Sequence, residues 1–135
     1  MTRLHAAARL ALAWVFIRAG YDVVRRPEKP ASTARPFLAA IRSSSPAPVP
    51  DDVAVVRANA AVQIVAGAIL TTGRVPRVAA GLLVASLVPT TLAGHAFWNV
   101  EEPLQRANQR NHFNKNLGLI GGLLLMIATG KRRVV

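Results

Sequence analysis

The sequence predicts an all-α integral membrane protein, a four-helix bundle with both termini on the same side of the bilayer. Three observations carry that expectation. Hydrophobic residues make up 52% of the 135, yet 17 Lys and Arg stand against only 6 Asp and Glu. The apolar residues collect in four blocks, each near the length of about 20 residues that the hydrocarbon core asks of a helix. The charges gather at the block edges, at Arg3, Arg25, Arg26, Arg74, Arg77, Lys131, Arg132 and Arg133, where a soluble domain would spread them at helix or strand period over the whole chain.

Composition also removes several function classes. A net charge of +11 would suit a nucleic-acid binder, but such proteins gather Lys and Arg on one face or arm. Here the cations flank apolar runs, as juxtamembrane anchors do, so membrane lipids are the expected partner and nucleic acid is not. Cysteine is absent, which excludes disulfides, thiolate metal sites and dithiol redox chemistry together.

The first block, LHAAARLALAWVFIRAGYDVV, covers about residues 4–24. Its uninterrupted core, ALAWVFI, ends at Arg18 with no small-x-small cleavage site after it, which favours a retained helix over a signal peptide. Residues 25–52 form a connection with six prolines, ending in SSSPAPVP. Within it RPFLAAI suits a short interfacial helix, with Pro36 in its first turn and Phe37, Leu38 and Ile41 on one side; a mobile loop is the alternative. The second block, about 53–72, meets the third, about 78–97, through GRVPR, with Gly73 as stop and Pro76 as restart of a helical hairpin. The fourth covers about 113–129, and the whole chain makes a single membrane domain.

Four crossings place the termini and the Gly73 hairpin together, with six Lys or Arg and no acid. The other side holds eight basic residues and all six acids. The count alone mildly opposes cytoplasmic termini, but charges close to helix ends weigh most and the long first connection dilutes its own. Cytoplasmic N- and C-termini in the plasma membrane are therefore the expectation.

Ionisable groups inside spans are costly and need a partner, a route to water or a function. Arg9, one turn from His5, can snorkel to the interface. Arg18 lies four residues before Asp22 and four after Trp14, so an ion pair above an indole is expected, with an anionic lipid or substrate contact as the alternative. Asn59 and Gln63, four apart, suit hydrogen bonds between helices. Arg57 is expected to snorkel or to meet Glu101 or Glu102. Gly118 and Gly122 form a GxxxG pair that lets a second helix approach.

The third block ends in VPTTLAGHAFW. If the helix continues, Thr91, His95, Trp98 and Glu102 fall at i, i+4, i+7 and i+11 and form one polar and aromatic stripe, just after a kink at Pro89. His112 flanks the same loop from the other side, four residues before Asn116. Two histidines at one interface suit haem, a divalent metal, or a quinone or lipid head group. Haem needs both imidazoles aimed at one iron, and a metal needs a third ligand such as Glu101 or Glu102. No metal site is expected, and haem ranks equally low. A quinone or lipid head group needs only Thr91, His95, Trp98 and His112 at the edge of an apolar pocket, which ranks it above the other two while the cofactor itself stays unknown. A hydrogen-bonded helix end with no ligand carries more weight than any of these.

Read in order, WVFIRAG, VRANAAVQIVAGAIL, GRVPRVAAGLLVASLVPTTLAGHAFW and FNKNLGLIGGLLL resemble the DoxX family of small bacterial membrane proteins, in an alanine- and arginine-rich actinobacterial style. The resemblance covers nearly all of the chain outside 27–50. It implies a four-helix membrane bundle and an association with quinol oxidase, with thiosulfate:quinone oxidoreductase or, for mycobacterial members, with a membrane oxidoreductase complex containing superoxide dismutase and a sulfurtransferase. It implies no catalytic residue set. The expectation is an accessory, non-catalytic membrane subunit that supports an oxidoreductase or oxidative-stress assembly and contacts quinone, with a protein partner or as a homo-oligomer. A structural or lipid-handling subunit of another envelope complex is the alternative, and an autonomous quinone-dependent oxidoreductase the third.

Overall fold

Helices account for nearly all of the computed structural model, which describes residues 3–130. Five occur in the described region: α1 (Arg3–Arg25), α2 (Glu28–Ser44), α3 (Asp52–Thr72), α4 (Pro76–Gly94) and α5 (Pro103–Thr129), with a single 3₁₀ turn at Phe97–Asn99 before α5. No strand is present among these residues.

Helix α1 runs along α3 in the most extensive pairing of the fold; α3 packs on α4 and α4 on α5. Glycine makes the first contact close. A Cβ added at Gly20 would lie 2.7 Å from the Ala60 carbonyl oxygen, and one at Gly67 would lie 2.9 Å from Ile17 Cγ1. Ala13, Ala60 and Ala66, all buried, keep the rest of this seam small, so the two backbones approach as small residues permit in apolar surroundings. Phe16, Leu70, Leu83, Leu87 and Leu123 fill the core beside it, drawn from α1, α3, α4 and α5.

Among the described residues the close approach of helices within this chain uses that seam and not the Gly118 and Gly122 pair. Gly118 has open space where a side chain would be, and a Cβ added at Gly122 would come no nearer than 3.8 Å to its nearest neighbour, Leu12 Cδ2.

Local chemistry sets the helix ends. Asp51 caps α3, its carboxylate accepting from the Ala54 N–H at 3.0 Å. Gly73 ends it in the left-handed region at φ 64°, and Pro76 opens α4 at a position where its missing N–H costs nothing. The Arg9 guanidinium lies over this turn, 2.9 Å from where a Gly73 Cβ would stand. The positive φ is what favours glycine there, since the Arg9 side chain can shift away from a methyl.

Two boundaries differ from the sequence expectation. Helix α4, formed by the third apolar block, stops at Gly94 rather than near 97, and α5 begins at Pro103, ten residues before 113. Glu102 is the reason for the second. Its carboxylate accepts from the N–H groups of Leu104 (3.0 Å) and Gln105 (2.6 Å), while Pro103 disfavours helical geometry at Glu102 and suits the first helical position itself.

The proline-rich connection holds a larger element than RPFLAAI. Helix α2 starts at Glu28, so Pro30 rather than Pro36 occupies its first turn and Pro36 lies inside it. It packs against α3 and α4 through Ala31, Ala34 and Leu38, whereas Ile41 is exposed; the apolar face is therefore not the expected Phe37, Leu38 and Ile41 set. Asp52 ties the helix back, meeting Arg42 at 2.8 Å and Arg35 at 3.3 Å, and Arg42 also donates to the Pro50 carbonyl at 2.6 Å.

Asp52–Thr72 and Pro76–Asn99 are each long and apolar enough to cross a membrane, with only 28% and 33% of their apolar windows buried. A soluble core helix would bury most of such a surface. Here Val62, Val65, Val78, Leu82, Val88 and Leu92 face outward, and apolar side chains exposed along two neighbouring helices call for lipid.

Candidate functional site

At the end of α4 the chain does not continue as a helix. His95 is the residue that closes it, at φ −132°, and the next residues turn through the 3₁₀ segment. The expected stripe is therefore broken. Thr91 stays on α4, His95 sits at the cap, Trp98 lies in the 3₁₀ turn, and Glu102 faces the α5 backbone as its cap. Folding back rather than running on brings a different set together.

Phe97, Trp98 and Phe113 meet edge to face, with centroids 5.2, 5.4 and 5.9 Å apart. This packing, the favoured arrangement for aromatic rings, pins the turn to α5. Beneath it His95 and His112 stack, centroids 5.1 Å apart and planes 14° from parallel. His95 Nδ1 lies 2.7 Å from Gln109 Oε1, so the imidazole N–H donates and the amide carbonyl accepts. Deeper along α4, Asn116 Nδ2 donates to the buried Thr91 hydroxyl at 2.9 Å, which itself donates to the Leu87 carbonyl.

A second polar knot joins α3 to α4. Asn59 donates to Thr90 Oγ1 at 2.9 Å and accepts from Ser86 Oγ at 2.8 Å. Both amide functions are thus used, which removes the desolvation cost of burying them between apolar helices.

Electrostatics at the histidine pair favours the neutral form of His112, which precedes the apolar part of α5. Burial pushes its pKa below the ordinary imidazole value, and the Lys115 cation and His95 push the same way. The stacked rings leave no room for a macrocycle between them, so they do not form an axial pair. No cluster of three His, Asp or Glu side chains able to share a metal occurs among the described residues.

The remaining candidate residues lie elsewhere. Arg18 and Asp22 form an ion pair on the exposed side of α1. No ion pair among the described residues joins Arg57 to Glu101 or Glu102; Arg57 is exposed, and Arg106 donates to the carbonyls of Val100 and Glu101 instead. A fourth helix expected to start near 113 leaves Gln109 outside it and gives Phe113 no neighbours to mark it. With the helix started at Pro103, Gln109, His112, Phe113 and Asn116 fall at i, i+3, i+4 and i+7 on one face.

Family comparison bears on this geometry. The DoxX family model matches residues 4–96, more than half of the chain. The chain belongs to the DoxX family. The match runs from α1 past the end of α4 to just beyond His95, whereas Gln109, His112 and Asn116 lie on α5 outside it. Neither the curated proteins nor the solved structures returned a match. Membership in DoxX together with the two outward-facing apolar helices identifies a membrane protein.

Proposed function

We propose that this DoxX protein is a multi-pass membrane subunit in which α1, α3, α4 and α5 each cross once, with α2 at the surface opposite the termini. Arg3, Arg74, Arg77 and the basic residues 131–133, with no acid among them, support a cytoplasmic placement of the termini. In this reading the protein is an accessory, non-catalytic member of an oxidoreductase assembly and holds a quinol or quinone head group at the α4–α5 end.

One observation carries the head-group assignment: the His95 Nδ1–H is committed to Gln109. In the neutral ring this leaves Nε2 as an acceptor, suited to a quinol hydroxyl. The protonated ring would donate to a quinone carbonyl instead. Thr91 and Asn116 add polar groups one turn deeper, and the aromatic trio supplies flat apolar surface beside them. The head group would bring the redox chemistry; the chain's own residues bind and orient it.

A structural or lipid-handling role is the second reading, favoured by how fully Thr91, Asn116, His95 and Gln109 already satisfy one another. Extraction of quinones and lipids co-purified with wild type and His95→Ala separates the two. Several-fold lower quinone occupancy in the variant, with thermal stability retained, is the expected result. Unchanged occupancy with lowered stability would leave the histidine a packing residue and support the second reading.

A further inference from the structure

A second polar feature, away from His95, lies where α1 ends and α2 begins. An open recess of about 590 Å³ is lined there by Arg18, Tyr21, Asp22, Arg25, Arg26 and Lys29. Four cations and one acid face it, and the acid is already paired with Arg18. The carbonyl end of α1 attracts positive charge, but that end is equivalent to only about half a negative charge. One cation is enough to offset it. Holding the three remaining cations, Arg25, Arg26 and Lys29, around one recess costs repulsion that an anion would relieve.

The surface beside the recess points to what that anion belongs to. Leu10, Trp14, Arg18, Tyr21 and Arg25 fall within one narrow face of α1 at helical period, and the large apolar members are open: Leu10 55%, Trp14 67% and Tyr21 50% exposed. The face is apolar towards Leu10 and basic towards Arg25, with Arg25 donating to the Tyr21 hydroxyl at 2.9 Å. Such an order, hydrocarbon then aromatic then cation, matches a phospholipid laid along a helix with its head group at the interface.

We propose that the α1–α2 elbow binds the phosphate of an anionic phospholipid, its acyl chain lying along Leu10 and Trp14. The site is independent of the His95 cluster and of any quinone. Its test is native mass spectrometry of the detergent-solubilised full chain titrated with phosphatidylglycerol and, separately, with phosphatidylcholine. Wild type should retain phosphatidylglycerol preferentially. The variant Arg25→Ala/Arg26→Ala/Lys29→Ala should bind it roughly tenfold to a hundredfold more weakly, as expected from removing three interfacial cations. Arg57→Ala/Arg74→Ala/Arg110→Ala, which removes equal charge elsewhere, and Arg25→Lys/Arg26→Lys, which keeps it, should stay close to wild type. Circular dichroism of each variant checks that helix content is kept. Equal loss in both alanine triples, or no preference between the two lipids, would overturn the proposal. Displacement of the lipid by millimolar inorganic phosphate would overturn it too, by showing a site for the free anion.

Discussion

His112 shows how one residue's surroundings turn into a property of the whole protein. Burial first, then Lys115 and His95, hold its pKa below the ordinary imidazole value. The unfolded chain therefore takes up this proton at higher pH than the folded chain does, and stability rises with pH wherever the unfolded state binds more protons. The contribution is present above the unfolded pKa and is lost as pH falls through the folded one. Melting temperature in detergent should thus drop between pH 8 and pH 5, and His112→Asn should drop less over the same interval. An identical pH profile in the variant would remove His112 as the source. The residue is legible as a candidate, but its stacking on His95 is not: nothing in NQRNHF announces that contact, because it depends on where α4 stops and where α5 starts.

At the scale of elements, the α1–α3 pair depends on Gly20 and Gly67. Gly20→Ala would drive a methyl to 2.7 Å from the Ala60 carbonyl oxygen, and overpacking of this kind costs about 1–3 kcal/mol. Gly118→Ala meets open space and should be neutral or stabilise by roughly 0.5–1 kcal/mol through helix propensity alone. Thermal unfolding of the two variants in one detergent checks the contrast; equal effects would show that the close approach is not what holds α1 to α3. The GxxxG pattern at Gly118 and Gly122 does not say where the close approach within this chain falls, for a physical reason. GxxxG marks a helix face on which small residues allow approach, but whether a neighbour comes is decided by which helices the connections bring side by side. A similar limit applies to α2. Prolines 27, 30 and 36 signal a broken segment, yet Pro27 precedes the helix, Pro30 falls in its first turn, where no N–H is needed, and burial of Ala31, Ala34 and Leu38 offsets the bond lost at Pro36.

For the whole molecule, the four crossings proposed above imply an alternation that reporter fusions can read. Fusions after residue 74 and after residue 135 should report the same side of the membrane, and a fusion near residue 47 the opposite one; a matching signal from all three would exclude four crossings. The two spans around Gly73 were legible directly, since Asp51, Gly73 and Pro76 carry stop and start chemistry in their own side chains and backbones. Outer helices were harder to delimit, because Arg9, Arg18 and Asp22 interrupt α1 and the first half of α5 is polar. By itself the sequence determined an all-α membrane protein of the DoxX family, because segregation of apolar residues from charge is a property of the chain that no packing can alter. Only the tertiary structure decided that α4 stops at His95 and that α5 turns His112 and Gln109 towards it. Only it decided that glycines on α1 and α3, not those on α5, form the close seam. Each of these depends on which surfaces meet, and a turn of a few residues at Ala96–Val100 is enough to change the partners of every side chain beyond it.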